Sequence, residues 1–155
     1  MDSKITILIA EDDPNDVMLL ELAIRKNGIT SPVRVVRDGE EAVEYLEGKG
    51  EFADRKKFPV PTVIITDVKM PRRSGLEVLE WVRQHPQHGI IPVVMLSGSR
   101  IEQDVMSAYR LGANTYFTKP STLDELTELI GLAHQYWSRS EHPPRPKESE
   151  SSNSP

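Results

Sequence analysis

Five short runs of β-branched and aliphatic residues, at Ile5–Ala10, Val33–Arg37, Thr62–Thr66, Pro92–Ser97 and Thr115–Thr118, each give way to a helix. Four-to-six-residue apolar runs without polar alternation suit strands buried on both faces. The helix starts are chemically explicit. Asp13 can cap a helix whose first position is Pro14, with Asp16 in the first turn favouring the helix dipole. Asp38-Gly39 opens the next, and Ser74-Gly-Leu-Glu77, Ser99-Arg-Ile-Glu102 and Thr122-Leu-Asp-Glu125 read as capping boxes for the last three. Strand and helix alternating five times require a parallel sheet with right-handed crossovers and helices on both faces.

The apolar positions agree with that frame. Val17, Leu20, Ala23 and Ile24 form a stripe on the first helix, Ala42, Val43 and Leu46 on the second, Leu76, Leu79 and Val82 on the third, and Leu126, Ile130, Ala133 and Trp137 on the last. The segment from Lys49 to Pro61, with Asp54-Arg55-Lys56-Lys57, reads as an extended surface loop with a solvated charge run. Residues 4–137 form one α/β domain, and the Ser-, Pro- and charge-rich stretch 138–155 is expected to be disordered. A net charge of -5 argues against DNA as a partner, the absence of cysteine removes disulfides and thiol catalysis, and no apolar run reaches the ~20 residues a membrane span needs.

Two doubly wound strand orders suit this pattern. In the flavodoxin-like order 2-1-3-4-5, the chain reverses direction between strands one and three, and a crevice opens at their carboxyl ends. Glu11 and Asp12 follow strand one and Asp67 follows strand three, so that order brings three carboxylates together from opposite ends of the sequence. Such a cluster is tolerated by a raised pKa or by a cation, and oxygen ligands suit Mg²⁺. Ser97 and Lys119 end strands four and five on the same edge, where an anion between metal, hydroxyl and ammonium would engage all of them.

The acid pair Glu11-Asp12, Asp67 followed by x-x-Met70-Pro71, Ser97-Gly98, and Tyr116-x-x-Lys119-Pro120, in this order, resemble the response-regulator receiver domains of two-component signalling over about residues 4 to 137. The long loop and Tyr136-Trp137 look most like the single-domain subgroup that includes bacterial phytochrome response regulators. The resemblance implies a flavodoxin-like (βα)5 three-layer sandwich in which Asp67 accepts a phosphoryl group from the phosphohistidine of a histidine kinase. It further implies that Glu11, Asp12, Asp67 and the backbone carbonyl of Lys69 hold Mg²⁺, that Ser97 and Tyr116 switch on phosphorylation, and that a cis Lys119-Pro120 peptide aims the lysine inward. Output would pass through the face of the fourth helix, fifth strand and fifth helix, with Met106, Tyr109, Leu129 and Leu132, toward a partner, a histidine phosphotransfer protein or a second copy. The cytoplasm is the compartment expected for such a phosphorelay protein.

Two other functions fit parts of the pattern. A haloacid-dehalogenase-type phosphatase also places an Asp after a parallel strand, but it needs a second acid two residues on, and that position is Lys69. The expected protein is therefore not a substrate-turnover enzyme and catalyses only its own phosphorylation and dephosphorylation. A phosphorylation-independent interaction module is the other alternative, and the complete set of site residues counts against it.

Overall fold

The computed structural model describes residues 5–144. Five parallel strands, β1 (Ile7–Ala10), β2 (Val33–Val36), β3 (Val63–Thr66), β4 (Val93–Ser97) and β5 (Thr115–Thr118), form one sheet in the order β2-β1-β3-β4-β5. This is the flavodoxin-like order. Helices α1 (Pro14–Lys26), α2 (Gly39–Glu47), α3 (Gly75–Gln84), α4 (Glu102–Arg110) and α5 (Leu123–Arg139) cover its two faces.

The two-residue period of the strands divides the core. Ile7 and Ile9 of β1 point into a cluster with Leu20, Ala23 and Ile24 of α1 and Leu126 and Ile130 of α5. Leu8 and Ala10 point the other way, against Leu46 of α2, Val78, Leu79 and Val82 of α3 and Ala108 of α4. The result is three layers, with β1, β3 and β4 buried throughout and the edge strand β5 half-buried. On α3 the buried apolar positions are Val78, Leu79 and Val82, while Leu76, expected in the stripe, is only half-buried.

Helix capping follows the local chemistry at four of five sites. Asp13, Asp38, Ser74 and Thr122 each accept a backbone N–H from their own first turn. The box expected at Ser99 does not form. Helix α4 begins after Ile101 without a side-chain cap, because the Ser99 hydroxyl is engaged at 2.6 Å with Asp104 Oδ2. At the other end of the chain α5 continues to Arg139, two residues beyond the expected end of the domain. Residues 145–155 of the expected tail lie outside the described residues.

The segment after α2 is more structured than the extended loop its composition suggests, although Asp54, Lys56 and Lys57 of the charge run are exposed as expected. Gly50–Ala53 forms a turn of 3-10 helix, and buried Phe52 packs with Tyr45 and Phe58 at ring separations of 5.0 and 5.1 Å. Arg55 leaves the charge run and turns inward. Its guanidinium donates to the carbonyls of Tyr45 (2.7 Å), Leu46 (2.8 Å) and Phe58 (3.3 Å), tying the end of α2 to the segment that follows it. Burial lowers its pKa from the ordinary arginine value, but the three carbonyls keep the donors used. Replacing Arg55 by Met is expected to destabilise the protein by about 2 kcal/mol through loss of these hydrogen bonds. In urea unfolding this appears as a lower midpoint with an unchanged slope.

Candidate functional site

The sheet brings the acids together by register alone. Ala10 and Thr66 are paired across β1 and β3, so the next residue on each strand, Glu11 and Asp67, emerges beside the other at the carboxyl edge. The Asp67 amide donates to the Ala10 carbonyl (3.1 Å), which extends the ladder one step past the strand ends. Behind Asp67, the Thr66 hydroxyl donates to the Asp67 carbonyl (3.0 Å), and the Gly75 amide donates to the Val68 carbonyl (2.7 Å). Any side chain at Gly75 would collide with the Asp67 carbonyl oxygen, so only glycine lets α3 begin this close to the strand end. The Asp67 carboxylate is turned by the Val68 amide, which donates to its Oδ1 at 2.6 Å, and more weakly by the Lys69 amide at 3.4 Å.

Opposite these acids stands Lys119. Its amide donates to the Ser97 carbonyl (2.8 Å), continuing the β4–β5 pairing, and its ammonium reaches Glu11 Oε2 (2.7 Å), Asp67 Oδ2 (2.8 Å) and Asp16 Oδ2 (2.8 Å). The cis Lys119-Pro120 peptide implied by family resemblance is absent: every peptide bond among the described residues is trans. The lysine still points inward, because the ladder bond to Ser97 and three carboxylates determine its direction.

Burial dominates the charges here. Glu11 is 2% exposed, and burial pushes its carboxyl up to about 7 against the opposing pull of Lys119 and of the Asp13 amide, which donates to Oε1 at 3.1 Å. Burial alone would pull Lys119 down, but its bonds to Asp16, Asp67 and Glu11 outweigh that and hold it above the ordinary lysine value.

Ser97 and Tyr116 form a second group, joined through Ser99. Buried Ser97 accepts the Ser99 amide at its hydroxyl (3.2 Å), and the Tyr116 hydroxyl donates to the Ser99 carbonyl (2.9 Å). Tyr116 is half-buried against the α2–α3–α4 side of the core, and its amide donates to the Tyr109 hydroxyl on α4 (3.3 Å). A short hydrogen-bonded path thus runs from the end of β4 to the exposed face of α4.

Carboxylate oxygens of Glu11, Asp12 and Asp67 lie within 4.8 Å of one another, the one such grouping of potential metal ligands among the described residues. Buried Glu11, half-buried Asp67 and exposed Asp12 give a pocket open to solvent on one side. All-oxygen donors with room for water fit a hard divalent cation. Two residues of this site are not legible as such in sequence. Asp16 reads as a helix-dipole acid, and Gly75 as the second residue of a capping box; the signal for Gly75 is its place directly after Ser74, where α3 meets the strand end.

Residues 7–131 match the family model of the response regulator receiver domain. The response regulator Rcp1 of Synechocystis sp. is 33% identical over 131 residues, covering 84% of this chain and 87% of Rcp1. The crystal structure of the phosphorylated cyanobacterial phytochrome response regulator RcpA superposes with a TM-score of 0.83 at 33% identity, covering 90% of this chain and 99% of that one. The Mn²⁺-bound form of Rcp1 gives a TM-score of 0.80 at 31% identity, with 90% and 99% covered.

The raised Glu11 pKa makes stability depend on pH with a definite sign. Its carboxyl ionises near the ordinary 4.5 when unfolded and near 7 when folded, so the stability it contributes is full below about 4.5 and is lost as pH rises through 7. The unfolding free energy of the wild type relative to Glu11→Gln is therefore expected to fall across that window, by at most roughly 1.4 kcal/mol per pH unit, and to level off above it. Urea titrations in EDTA at pH 5, 6, 7 and 8 measure this difference.

Proposed function

The chain belongs to the response regulator receiver domain family, and on that premise we propose that it is a phosphoryl-accepting switch of the phytochrome-response-regulator type, with Asp67 as the acceptor. The observation that carries this reading is the convergence of Glu11, Asp67 and Lys119, with both acids within 2.8 Å of the ammonium, beside Asp12 at the mouth of the same pocket.

In this reading a carboxylate oxygen of Asp67 attacks the phosphorus of a histidine kinase's phosphohistidine. The P–N bond breaks, its electron pair returns to the imidazole nitrogen, and an acyl phosphate remains on Asp67. Such a transfer depends on positioning and charge neutralisation more than on covalent help. The Val68 and Lys69 amides orient the nucleophile, and the Lys119 ammonium, already at the carboxylate, neutralises the incoming phosphoryl oxygens. A divalent cation, Mg²⁺ by its preference for carboxylate and phosphate oxygens, would be held by Glu11, Asp12, Asp67 and the Lys69 carbonyl and would supply further positive charge there. Exposed Lys69 stands where a dehalogenase-type phosphatase needs an acid, so the acyl phosphate is kept as a signal rather than turned over with substrate.

Ser97 and Tyr116 would read the product. New phosphoryl oxygens are strong acceptors for the Ser97 hydroxyl, and movement of the Ser97–Ser99 loop disturbs the bond from Tyr116. Tyr116 in turn touches α4 through Tyr109. The face so reached carries exposed Met106, Tyr109 and Leu132, with half-buried Leu129 lining an apolar groove between β5 and α5. We assign output to this face, toward a histidine phosphotransfer protein, another partner or a second copy. No described helix is long and apolar enough to cross a membrane, and a cytoplasmic location is part of the proposal.

Incubation with a small phosphodonor, followed by phosphate-affinity electrophoresis, is expected to shift the wild type with Mg²⁺ present, and to shift neither the EDTA-treated sample nor Asp67→Asn. No shift in any lane favours a phosphorylation-independent interaction module. Continuous release of phosphate from the donor at enzymatic rates favours the phosphatase.

A further inference from the structure

Asp16 is the acid at this pocket to which the phosphoryl-acceptor reading gives no task. It lies in the first turn of α1, outside the Glu11, Asp12 and Asp67 trio, yet its Oδ2 is 2.8 Å from Lys119 Nζ, as close as Asp67 Oδ2. Its side chain is 32% exposed, whereas that of Lys119 is 18% exposed, so the acid sits at the rim and the ammonium sits inside.

The geometry poses a conflict. A cation entering the trio needs carboxylate oxygens of Glu11 and Asp67, and the Lys119 ammonium holds one oxygen of each at 2.7 and 2.8 Å. Two positive groups then compete for the same lone pairs at a separation where they also repel each other. The ammonium has to loosen its hold on Glu11 and Asp67 without being left unpaired in a half-buried site, because an unpaired buried charge is strongly disfavoured. Asp16 is the one carboxylate bonded to Lys119 that the cation does not need.

Resting on the receiver reading above, we propose that Asp16 is a positioning residue: it holds the Lys119 ammonium aside while Glu11 and Asp67 turn to the divalent cation, and it thereby raises cation affinity. The alternatives are an acid that merely favours the dipole of α1, and an acid that attracts the cation directly through space. Only the proposed role requires Lys119.

A double-mutant cycle separates these roles. Mg²⁺ affinity is measured by isothermal titration calorimetry, at fixed pH and ionic strength, on wild type, Asp16→Asn, Lys119→Met and the double variant, with circular dichroism checking that each is folded. With Lys119 present, Asp16→Asn is expected to weaken binding on the order of tenfold, and with Lys119→Met the same change should weaken it by less than about twofold. Asp16→Glu, which keeps the carboxylate within reach of the lysine, should recover most of the affinity, and Asp16→Ser repeats the cycle with a second uncharged side chain. Equal losses in both backgrounds would overturn the proposal in favour of direct attraction, and no loss in either would leave Asp16 a helix-dipole acid. Absence of Mg²⁺ binding by the wild type would overturn the receiver reading together with this one.

Discussion

The structure depends on one electrostatic compromise: carboxylates gathered at the ends of β1 and β3 are held in a half-buried pocket by a single ammonium from the end of β5. Without Lys119, Glu11 and Asp67 would face each other with little solvent, and burial already raises the Glu11 carboxyl above its ordinary value. The same compromise prepares the pocket for chemistry. In the proposed function, a site that balances its acids with one lysine accepts further positive charge on one side and phosphoryl oxygens on the other.

The rest of the fold serves to bring these groups to one edge. Parallel pairing aligns β1 with β3 and β4 with β5, so residues placed one step past each strand meet above the sheet. Two separate apolar clusters clamp the sheet from both faces, and Gly75 lets α3 begin against the Asp67 carbonyl. The acids are thus mounted on rigid elements. The groups that would report a change are differently placed: Ser97, Ser99 and Tyr116 connect through hydrogen bonds to the hydroxyl and carbonyl of their neighbours.

Much of this was legible in sequence where the physics is local. The strands, the caps at Asp13, Asp38, Ser74 and Thr122, and the meeting of Glu11, Asp12, Asp67 and Lys119 follow from short patterns plus the rule for parallel sheets. Where tertiary partners compete with local preference, the sequence misleads. Ser99 has the spacing of a capping box, but Asp104 takes its hydroxyl and Ser97 takes its amide. Arg55 belongs to a polar run, yet its partners are carbonyls of an earlier helix. Asp16 is hidden most thoroughly, because an acid in a first helical turn already has a local reason to be there, while its lysine lies 103 residues away. The trans Lys119–Pro120 bond makes a related point, since the inward aim of the lysine comes from its ladder bond and its acids.

Asp67, among 24 acidic residues in the chain, is the proposed acceptor of the phosphoryl group. An acyl phosphate is reduced by borohydride to an alcohol, whereas a free carboxylate is not, so trapping followed by peptide mass spectrometry reads the position directly. Homoserine is expected at position 67 after treatment with phosphodonor and Mg²⁺, and none when the donor is omitted. Reduction at another aspartate or glutamate with Asp67 intact would contradict it.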